Sequence, residues 1–268
     1  MDFNTMIPIK QIDYHVADAC NLACEFCTHY SNFKGPANIL SPDEIELEWE
    51  PWSQKIVPSR VHLIGGEPLL NPKIVDIVRL AFRTWPLSTI YLYSNGLLLK
   101  NHPGLRGALK GGRYALGLHY CDERDKETEA FVRNFFLDTG VAVDVVDGAQ
   151  GWLQFYQFDQ DGKPVPYTDN DKRSSWENCV AAQQGCLVLR HNKLWKCPQV
   201  AFADRAGVSD WFRGYTPCEV DDDIQAWLSR EDESCCSNCP AQPQFTPHGA
   251  AYMKYRLPVF DANSARKR

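Results

Sequence analysis

Three closely spaced cysteines, Cys20, Cys24 and Cys27, constrain this chain more than any other feature. Their C-x-x-x-C-x-x-C spacing follows residues 12–16, a short segment with the pattern of a strand. Three thiolates within eight residues can hold three irons of a four-iron cluster, because Cys is the usual ligand of iron–sulfur clusters. The fourth iron would stay open, as a catalytic metal centre requires. A structural zinc site completed by His29 is the alternative, although zinc normally takes four closed ligands.

Length, charge and composition exclude several classes of protein. The chain has 268 residues, 44% of them hydrophobic, which is enough for one large domain or a domain with a small appendage. A net charge of −6 provides no basic field for a nucleic-acid backbone, so nucleic-acid binding is not expected. The sequence has no apolar run of membrane-spanning length and no signal-peptide pattern, which predicts a cytoplasmic protein.

The eleven cysteines are unevenly distributed. Three lie at 20–27, one stands alone at position 121, and seven lie between positions 179 and 239. In a reducing compartment, clustered cysteines indicate metal or redox chemistry more often than disulfides. The sequence therefore predicts two metal-bearing regions separated by a Cys-poor scaffold.

Strand-like and helix-like segments alternate over the first 160 residues, and the last predicted strand spans residues 152–158. A helix start is marked by Ser41 at the N-cap, Pro42 at the first helical position and Glu44 further on. Alternation with short connections predicts a parallel sheet covered by helices. An open doubly wound sheet is the alternative, and the spacing alone leaves the two folds close to even. The barrel is preferred because the chemically suggestive residues fall just after strands, where barrels build their active sites. We therefore predict an α/β fold with a partial (β/α)6 barrel.

The barrel is expected to span residues 10–160. From about Gly162 the chain becomes polar and Pro-containing, and then Cys-rich. This change predicts a small C-terminal Cys-rich β-hairpin/α module at residues 161–262. The basic end, residues 263–268, is expected to be a flexible solvated tail.

A hairpin within the C-terminal module would gather some of its cysteines. Two short strands joined by a turn at residues 191–192 would bring Cys186 and Cys197 to one end of the hairpin. Cys236 and Cys239 supply a C-x-x-C pair further along. Four thiolates at these spacings suit zinc as well as iron.

The first cysteines and a second motif together resemble the radical S-adenosylmethionine (SAM) superfamily. The second motif follows the next predicted strand and consists of Gly65, Gly66, Glu67 and Pro68. The resemblance implies that Cys20, Cys24 and Cys27 bind a four-iron cluster whose open iron is chelated by SAM. It also implies that the Gly-Gly-Glu-Pro motif holds the methionine ammonium through backbone groups and Glu67. A plain strand-to-loop turn is the alternative for the two glycines.

Further SAM contacts are implied by the same resemblance. Phe26 would lie against the adenine, and Ser94 and Asn95 would contact the ribose or the carboxylate. His119 occupies the corresponding end of the next strand, although such a histidine is more often structural. Ser94 and Asn95 could equally form an ordinary turn. The resemblance also implies that the cluster, reduced by a donor such as flavodoxin or ferredoxin, would cleave the sulfonium of SAM to methionine and a 5′-deoxyadenosyl radical, which abstracts a hydrogen atom.

The C-terminal cysteines resemble the auxiliary-cluster twitch module, a shortened relative of the SPASM domain. The resemblance implies that a second four-iron cluster is bound by Cys186, Cys197, Cys236 and Cys239. Cys235, beside Cys236, could take a place in that ligand set. The family usually has Gly five residues before the second Cys, where this chain has Asn192.

These features together predict a radical SAM oxidoreductase or isomerase. Its substrate is expected to be small and polar, such as a sugar-like molecule or a nucleoside or amino-acid conjugate, and the outcome dehydrogenation or epimerisation. An epimerase would return a hydrogen atom from a free thiol, for which Cys121 and Cys235 are candidates. A peptide-modifying radical SAM enzyme is one alternative, and a non-enzymatic iron–sulfur or zinc binding protein is the other.

Overall fold

A computed structural model describes residues 6–33, 38–118, 123–147, 152–168 and 171–246 of the chain. The strands are β1 (Ile7–Ala17), β2 (Ile56–Gly65), β3 (Thr89–Ser94), β4 (Arg113–Leu118), β5 (Ala142–Asp147), β6 (Trp152–Leu153), β7 (Gln157–Phe158), β8 (Pro164–Val165), β9 (Cys186–Arg190), β10 (Lys193–Trp195) and β11 (Phe245–Thr246). The α-helices are α1 (Pro42–Ser53), α2 (Ile74–Thr84), α3 (Leu105–Ala108), α4 (Glu123–Phe135), α5 (Lys172–Glu177), α6 (Val180–Gln184), α7 (Pro198–Ala201), α8 (Ala203–Ala206) and α9 (Ile224–Ser229). His119, Cys121 and the predicted tail at 263–268 lie outside the described residues.

Within these ranges the main sheet has seven strands in the order β10-β9-β1-β2-β3-β4-β5. Every neighbouring pair is parallel except β9 and β10, which are antiparallel. The predicted α/β fold with a parallel sheet is therefore confirmed. On the side of β1 away from β2, the parallel neighbour is β9, so the C-terminal hairpin extends the same sheet.

The strand predicted at residues 152–158 is broken in the structure. It forms β6 and β7, which pair with β11 and β8 in separate two-stranded sheets. Between them Tyr156 is fully buried, and its ring stacks 5.3 Å from that of Tyr30. The bend that buries this ring interrupts the strand, which the alternation of polar and apolar residues alone did not indicate.

Helix α1 begins where the sequence predicts. The Glu44 backbone N–H donates to Ser41 Oγ at 3.2 Å, and the Ser41 backbone N–H donates to Glu44 Oε2 at 2.7 Å, which completes a capping box. The buried face of the helix includes Trp49, whose ring meets that of Tyr14 edge-on at 4.9 Å. Tyr14 thereby packs one face of β1 against α1.

The predicted turn of the C-terminal hairpin is also confirmed. His191 and Asn192 have φ angles of 54° and 59°, in the left-handed region that a two-residue hairpin turn requires. The Asn192 backbone N–H donates to Glu48 Oε1 at 2.7 Å, which ties the turn to α1. The hairpin is thus anchored to the barrel at its turn as well as along β1.

Two hydrophobic cores organise the described part of the chain. The first lies between the sheet and helices such as α1 and α2. The second joins Phe26 and Tyr30 of the cysteine loop to Tyr156, Phe202 and other residues of the C-terminal region. The two Cys-bearing regions are therefore distant in sequence but share a core. Among the described helices, none combines the length and hydropathy needed to cross a membrane.

Candidate functional site

The three-cysteine loop follows the carboxyl end of β1 and turns back on itself. The Cys27 backbone N–H donates to Cys24 O at 3.3 Å. The Sγ atom of Cys20 accepts the Leu22 backbone N–H, and that of Cys27 accepts the Ser31 backbone N–H, each at 3.4 Å. Such donors favour a thiolate. Burial, followed by the charge of Glu67, raises the pKa of Cys20 to about 12, so metal binding there would displace a proton.

Both glycines of the Gly-Gly-Glu-Pro motif are required by the close approach of the motif to this loop. The Gly66 backbone N–H donates to Ala17 O, and the Glu67 backbone N–H donates to Ala19 O, each at 2.8 Å. A Cβ at Gly65 would collide with the Ala17 backbone, and one at Gly66 would lie 2.8 Å from Cys20 Cβ. Absence of side chains here lets the motif pack directly against the cysteine loop.

The carboxylate of Glu67 joins the motif to the end of β3. It is 1% exposed and accepts the Leu69 backbone N–H at 2.9 Å, the Ser94 hydroxyl at 2.7 Å and the Asn95 backbone N–H at 2.9 Å. Burial raises the pKa of Glu67 to about 7, although these three hydrogen bonds oppose the shift. Glu67, Ser94 and Asn95 therefore form one network, as their positions after neighbouring strands suggest.

Two asparagines that the sequence did not mark as site residues lie nearby, one of them bonded to this network and the other to neighbouring backbone. Asn95 Nδ2 donates to Asn21 Oδ1 at 2.7 Å, which links β3 to the cysteine loop. Asn71 is fully buried, and its Nδ2 donates to the carbonyls of Val16 and Leu40, each at 2.8 Å. The buried Asn71 amide therefore holds the end of β1 and the segment before α1 together. Its partners lie far away in sequence, and no local pattern predicts them.

Phe26 lies in the second core. It is 7% exposed, and its ring centroid is 5.7 Å from that of Tyr156 and 5.4 Å from that of Phe158. Pro68 is buried and begins a short 3₁₀ turn, Pro68–Leu70. Each of these two residues thus contributes to packing next to the cysteine loop.

A row of polar side chains lies on the face of the sheet opposite α1. Because strand residues alternate between faces, Gln11 and Asp13 point away from the side that Tyr14 packs. Gln11 Nε2 donates to Asp13 Oδ1 at 2.8 Å, and His62 Nδ1 lies 3.0 Å from the same oxygen. The His62 ring lies 4.9 Å and 4.8 Å from the rings of Tyr91 and Tyr93. His62 Nε2 is buried and has no hydrogen-bond partner.

Six of the seven C-terminal cysteines line one cavity of about 280 Å³. All four of the predicted auxiliary ligands line it, with two further cysteines, so that the lining includes Cys179, Cys186, Cys197, Cys235, Cys236 and Cys239. A pocket walled by this many thiols suits a thiolate-bound metal cluster.

Five of these thiols, Cys179, Cys197, Cys235, Cys236 and Cys239, influence one another electrostatically, which indicates that they lie near each other. Burial, and then the proximity of Cys179 and Cys236, raises the pKa of Cys197 to about 12. Burial raises the pKa of Cys239 well above its usual value, and Cys197, Cys179 and Cys236 add to the shift. Cys179 was not among the predicted ligands, because it precedes the hairpin and reaches the cavity through α6. Its place in the Cys-rich segment was the one available signal.

Cys186 occupies a different position at the edge of this cavity. Its Sγ accepts Gln11 Nε2 at 3.2 Å. Burial raises the pKa of Cys186 to about 12, with Asp13 as the next contributor. The thiol therefore lies between the cysteine cavity and the polar row of the sheet.

No group of three or more His, Cys, Asp and Glu side chains in the described ranges is arranged around a single metal ion. A four-iron cluster distributes its thiolates one to each iron, which separates them more widely than the ligands of one ion. The backbone donors at Cys20 and Cys27, and the thiol-lined cavity, fit such clusters.

Curated proteins similar to this chain match it over part of its length. GTP 3′,8-cyclase of Aquifex aeolicus (strain VF5) is 34% identical over 96 residues, which are 35% of this chain and 30% of that protein. GTP 3′,8-cyclase of Chlorobaculum tepidum is 27% identical over 146 residues, 50% of this chain and 41% of that protein. The chain therefore spans less than half the length of these curated relatives.

Solved structures with a similar arrangement include two at low sequence identity. BtrN in complex with AdoMet and 2-DOIA has a TM-score of 0.47 at 16% identity, covering 86% of this chain and 92% of that one. Streptococcus suis SuiB bound to S-adenosylmethionine has a TM-score of 0.43 at 16% identity, covering 52% and 33%.

A protein-family model described as the radical SAM superfamily matches residues 14–136. This range contains the three-cysteine loop, the Gly-Gly-Glu-Pro motif and the end of β3, which the structure joins through Glu67 and Asn95. Residues 14–136 thus carry a radical SAM superfamily domain.

Proposed function

We propose that this chain is a radical SAM enzyme that removes a hydrogen atom from a small polar substrate and completes a dehydrogenation. Cys20, Cys24 and Cys27 would hold the SAM-binding four-iron cluster. Backbone groups of Gly65 and Gly66, braced by Glu67, would hold the methionine ammonium. When bound, the cluster and SAM supply the 5′-deoxyadenosyl radical, with the electron coming from a donor such as flavodoxin or ferredoxin.

The observation that carries this proposal is the cavity lined by six cysteines beside the polar face of the sheet. A dehydrogenation must pass an electron from the substrate radical to an acceptor, and a second four-iron cluster in the cavity would supply that acceptor. The proximity of the thiols supports Cys197, Cys236 and Cys239 as ligands, with Cys179 favoured over Cys186 for the fourth position. Cys186 would then remain between the acceptor and the sheet.

The polar row supports a small, hydrogen-bonding substrate. Asp13 and His62 are paired on the sheet face opposite α1, and His62 Nε2 has no partner. Tyr91 and Tyr93 cover the imidazole and are themselves half-buried. Hydroxyl or amide groups of a sugar-like or nucleoside-like substrate would satisfy these donors and acceptors, which a purely apolar substrate would leave unpaired.

Anaerobic reconstitution with SAM and a reductant tests the enzyme class. Release of 5′-deoxyadenosine is expected, together with about eight irons and about eight sulfides per chain, since two four-iron clusters are proposed. A fully loaded protein that releases no 5′-deoxyadenosine would exclude the enzyme, and about four irons would exclude the auxiliary cluster.

Epimerisation is distinguished from dehydrogenation by the fate of the substrate hydrogen. Cys235 is a hydrogen-donor candidate that lines the cavity and is 4% exposed. In deuterated buffer, an epimerase would place deuterium from an exchanged thiol into its product. A dehydrogenase would instead give a product lighter by two hydrogens, which mass spectrometry of the product separates from the labelled epimer.

A nucleoside triphosphate is a second candidate substrate. It is favoured by the curated relatives named GTP 3′,8-cyclase, although the match to the Aquifex aeolicus protein covers 35% of this chain. Incubation of the reconstituted enzyme with GTP and SAM should produce a GTP-derived product in step with 5′-deoxyadenosine if this activity is present. Unchanged GTP beside active turnover of another small polar substrate would exclude it.

A further inference from the structure

The three-cysteine loop is also held in place by residues from the C-terminal half of the chain. Tyr156 Oη donates to the Glu25 carbonyl at 2.9 Å, and Gln199 Nε2 donates to the Thr28 carbonyl at 3.3 Å. Phe26 and Tyr30 of the loop lie in the second core with residues of α7 and α8. The loop therefore depends on a part of the protein that follows the radical SAM domain in sequence.

Asp18, at the start of this loop, is the strongest of these connections. Arg190 Nη1 lies 3.1 Å and 3.2 Å from its two carboxylate oxygens. Arg205 Nη1 lies 3.3 Å from Asp18 Oδ2, and Arg205 Nη2 donates to the Asp18 carbonyl at 2.6 Å. Asp18 is 4% exposed and Arg205 is 5% exposed. Both arginines come from the C-terminal region, from β9 and α8.

Aromatic packing also holds the residues around Asp18 in place. The His15 ring stacks on Phe202 with centroids 3.8 Å apart, and His15 Nδ1 lies 3.1 Å from Asp18 Oδ1. The guanidinium of Arg190 lies 4.7 Å above the ring of Phe202. Asp18 is thus surrounded by partners whose positions are themselves set by packing. Removing one arginine would leave a buried carboxylate with too few partners, which is unfavourable in a low-dielectric interior.

We propose that Arg190 and Arg205 are positioning residues for the first cluster site. They fix Asp18, two residues before Cys20, and so set the direction in which the cysteine loop leaves β1. The C-terminal region then builds the first site as well as carrying the cysteine cavity. The link to cluster binding rests on the proposed function, whereas the link to loop order concerns the metal-free protein alone.

Hydrogen exchange of the metal-free full chain tests the proposal without any cluster. Arg205→Met and Asp18→Asn are compared with the wild type and with Arg213→Met. Arg213 is a matched control because its side chain is 81% exposed and pairs with Asp210 on the surface. The amides to follow are those bonded within the loop, namely Leu22, Cys27, Tyr30 and Ser31.

Exchange of the loop amides should accelerate on the order of tenfold or more in both variants, with amides of β3 unchanged and the control unaffected. Unchanged loop exchange would overturn the proposal. Equal acceleration in β3 would also overturn it, because the contacts of Asp18 with the two arginines would then support the whole fold rather than the loop. Arg205→Lys keeps the positive charge but loses the forked geometry of the guanidinium. Its loop amides should therefore exchange at a rate between those of the wild type and Arg205→Met.

Reconstitution of the same variants gives a second readout. Arg205→Met should retain about four irons of about eight, those of the cysteine cavity, and release little 5′-deoxyadenosine. If the wild type itself releases no 5′-deoxyadenosine, the proposed function fails, yet the exchange result still decides the role of the two arginines.

Discussion

At the scale of single residues, Glu67 illustrates how burial changes the chemistry of this site. Its carboxylate accepts hydrogen bonds from Leu69, Ser94 and Asn95, and it is almost completely excluded from water. Desolvation outweighs these bonds and raises its pKa from 4.5 to about 7. The residue therefore joins two strand ends at some cost in stability near neutral pH.

The raised pKa of Glu67 predicts the direction in which the free energy of unfolding changes with pH. Between pH 4.5 and about 7 the folded state keeps a proton on Glu67 that the unfolded state releases. The stability from Glu67 is therefore fully present below pH 4.5 and is lost as the pH rises through about 7. Glu67→Gln should remove this component, worth up to about 3 kcal/mol. Urea unfolding of the wild type and of Glu67→Gln at several pH values measures how their free energies of unfolding differ. The same pH dependence in both proteins would contradict the prediction.

Gly66 leads to a second prediction at the same scale. Gly66→Ala would place a Cβ 2.8 Å from Cys20 Cβ and against the Ala19 backbone, so the loop must shift. Loss of roughly 1–3 kcal/mol in the free energy of unfolding is expected, together with reduced iron at the first site. Gly107→Ala is the matched control, since a Cβ there meets nothing within 4 Å. Similar thermal midpoints for the two variants would contradict the role assigned to Gly66.

At the scale of elements, the hairpin of β9 and β10 connects the C-terminal region to the barrel. β9 pairs in parallel with β1, with Gln11 opposite Cys186 and Asp13 opposite Val188. Its turn needs two residues in the left-handed region, and it is held against α1 through Glu48. The hairpin thus places one thiol beside the polar row and directs Arg190 toward Asp18.

Substitution at the turn should reveal this backbone requirement. Asn192 has a φ of 59°, which Asn and Gly adopt more readily than Ala. Asn192→Ala should lower the free energy of unfolding by about 1 kcal/mol, whereas Asn192→Gly should be close to neutral. Both variants keep the backbone N–H that donates to Glu48. Chemical denaturation of the two variants measures the difference, and equal losses would show that the Asn side chain matters rather than φ.

At the scale of the whole molecule, the cysteines of the two regions belong to one structure built on a shared core. Tyr30 of the first loop and Cys235 of the last Cys-rich segment are both buried in that core. The cavity itself is lined by residues from β1, α5, α6, β9 and the 3₁₀ turn Ser234–Asn238. The two Cys-bearing regions therefore pack against each other through this core.

The closeness of Cys179 to the other cavity thiols predicts which cysteine matters for the auxiliary cluster. Cys179→Ser should lower the reconstituted iron from about eight to about four per chain, because Cys179 adjoins Cys197, Cys236 and Cys239. Cys186→Ser should keep most of the iron, since Cys186 is turned toward Gln11. Cys218→Ala, in the first core, controls for the loss of a buried cysteine. Iron loss in Cys186→Ser with full loading in Cys179→Ser would reverse the assignment.

The sequence by itself determined the features that depend on local chemistry. The capping box at Ser41 and the left-handed turn at Asn192 were expected from residue types at short spacing, and Glu67 and Ser94 were each expected just after a strand. These features follow from backbone sterics and from the common edge at which parallel strands end. The radical SAM resemblance of the first motif rests on the same local information.

The tertiary structure decided which distant residues meet. It paired β9 with β1, bent the predicted strand at Tyr156, and brought Cys179 into one cavity with the four predicted ligands. It also enclosed Asp18 between Arg190 and Arg205. The contacts of β9 with β1 and of Asp18 with the two arginines join segments more than a hundred residues apart, and they are fixed by packing and by the cost of burying unpaired charge. Periodicity and short motifs carry no information about partners at that separation.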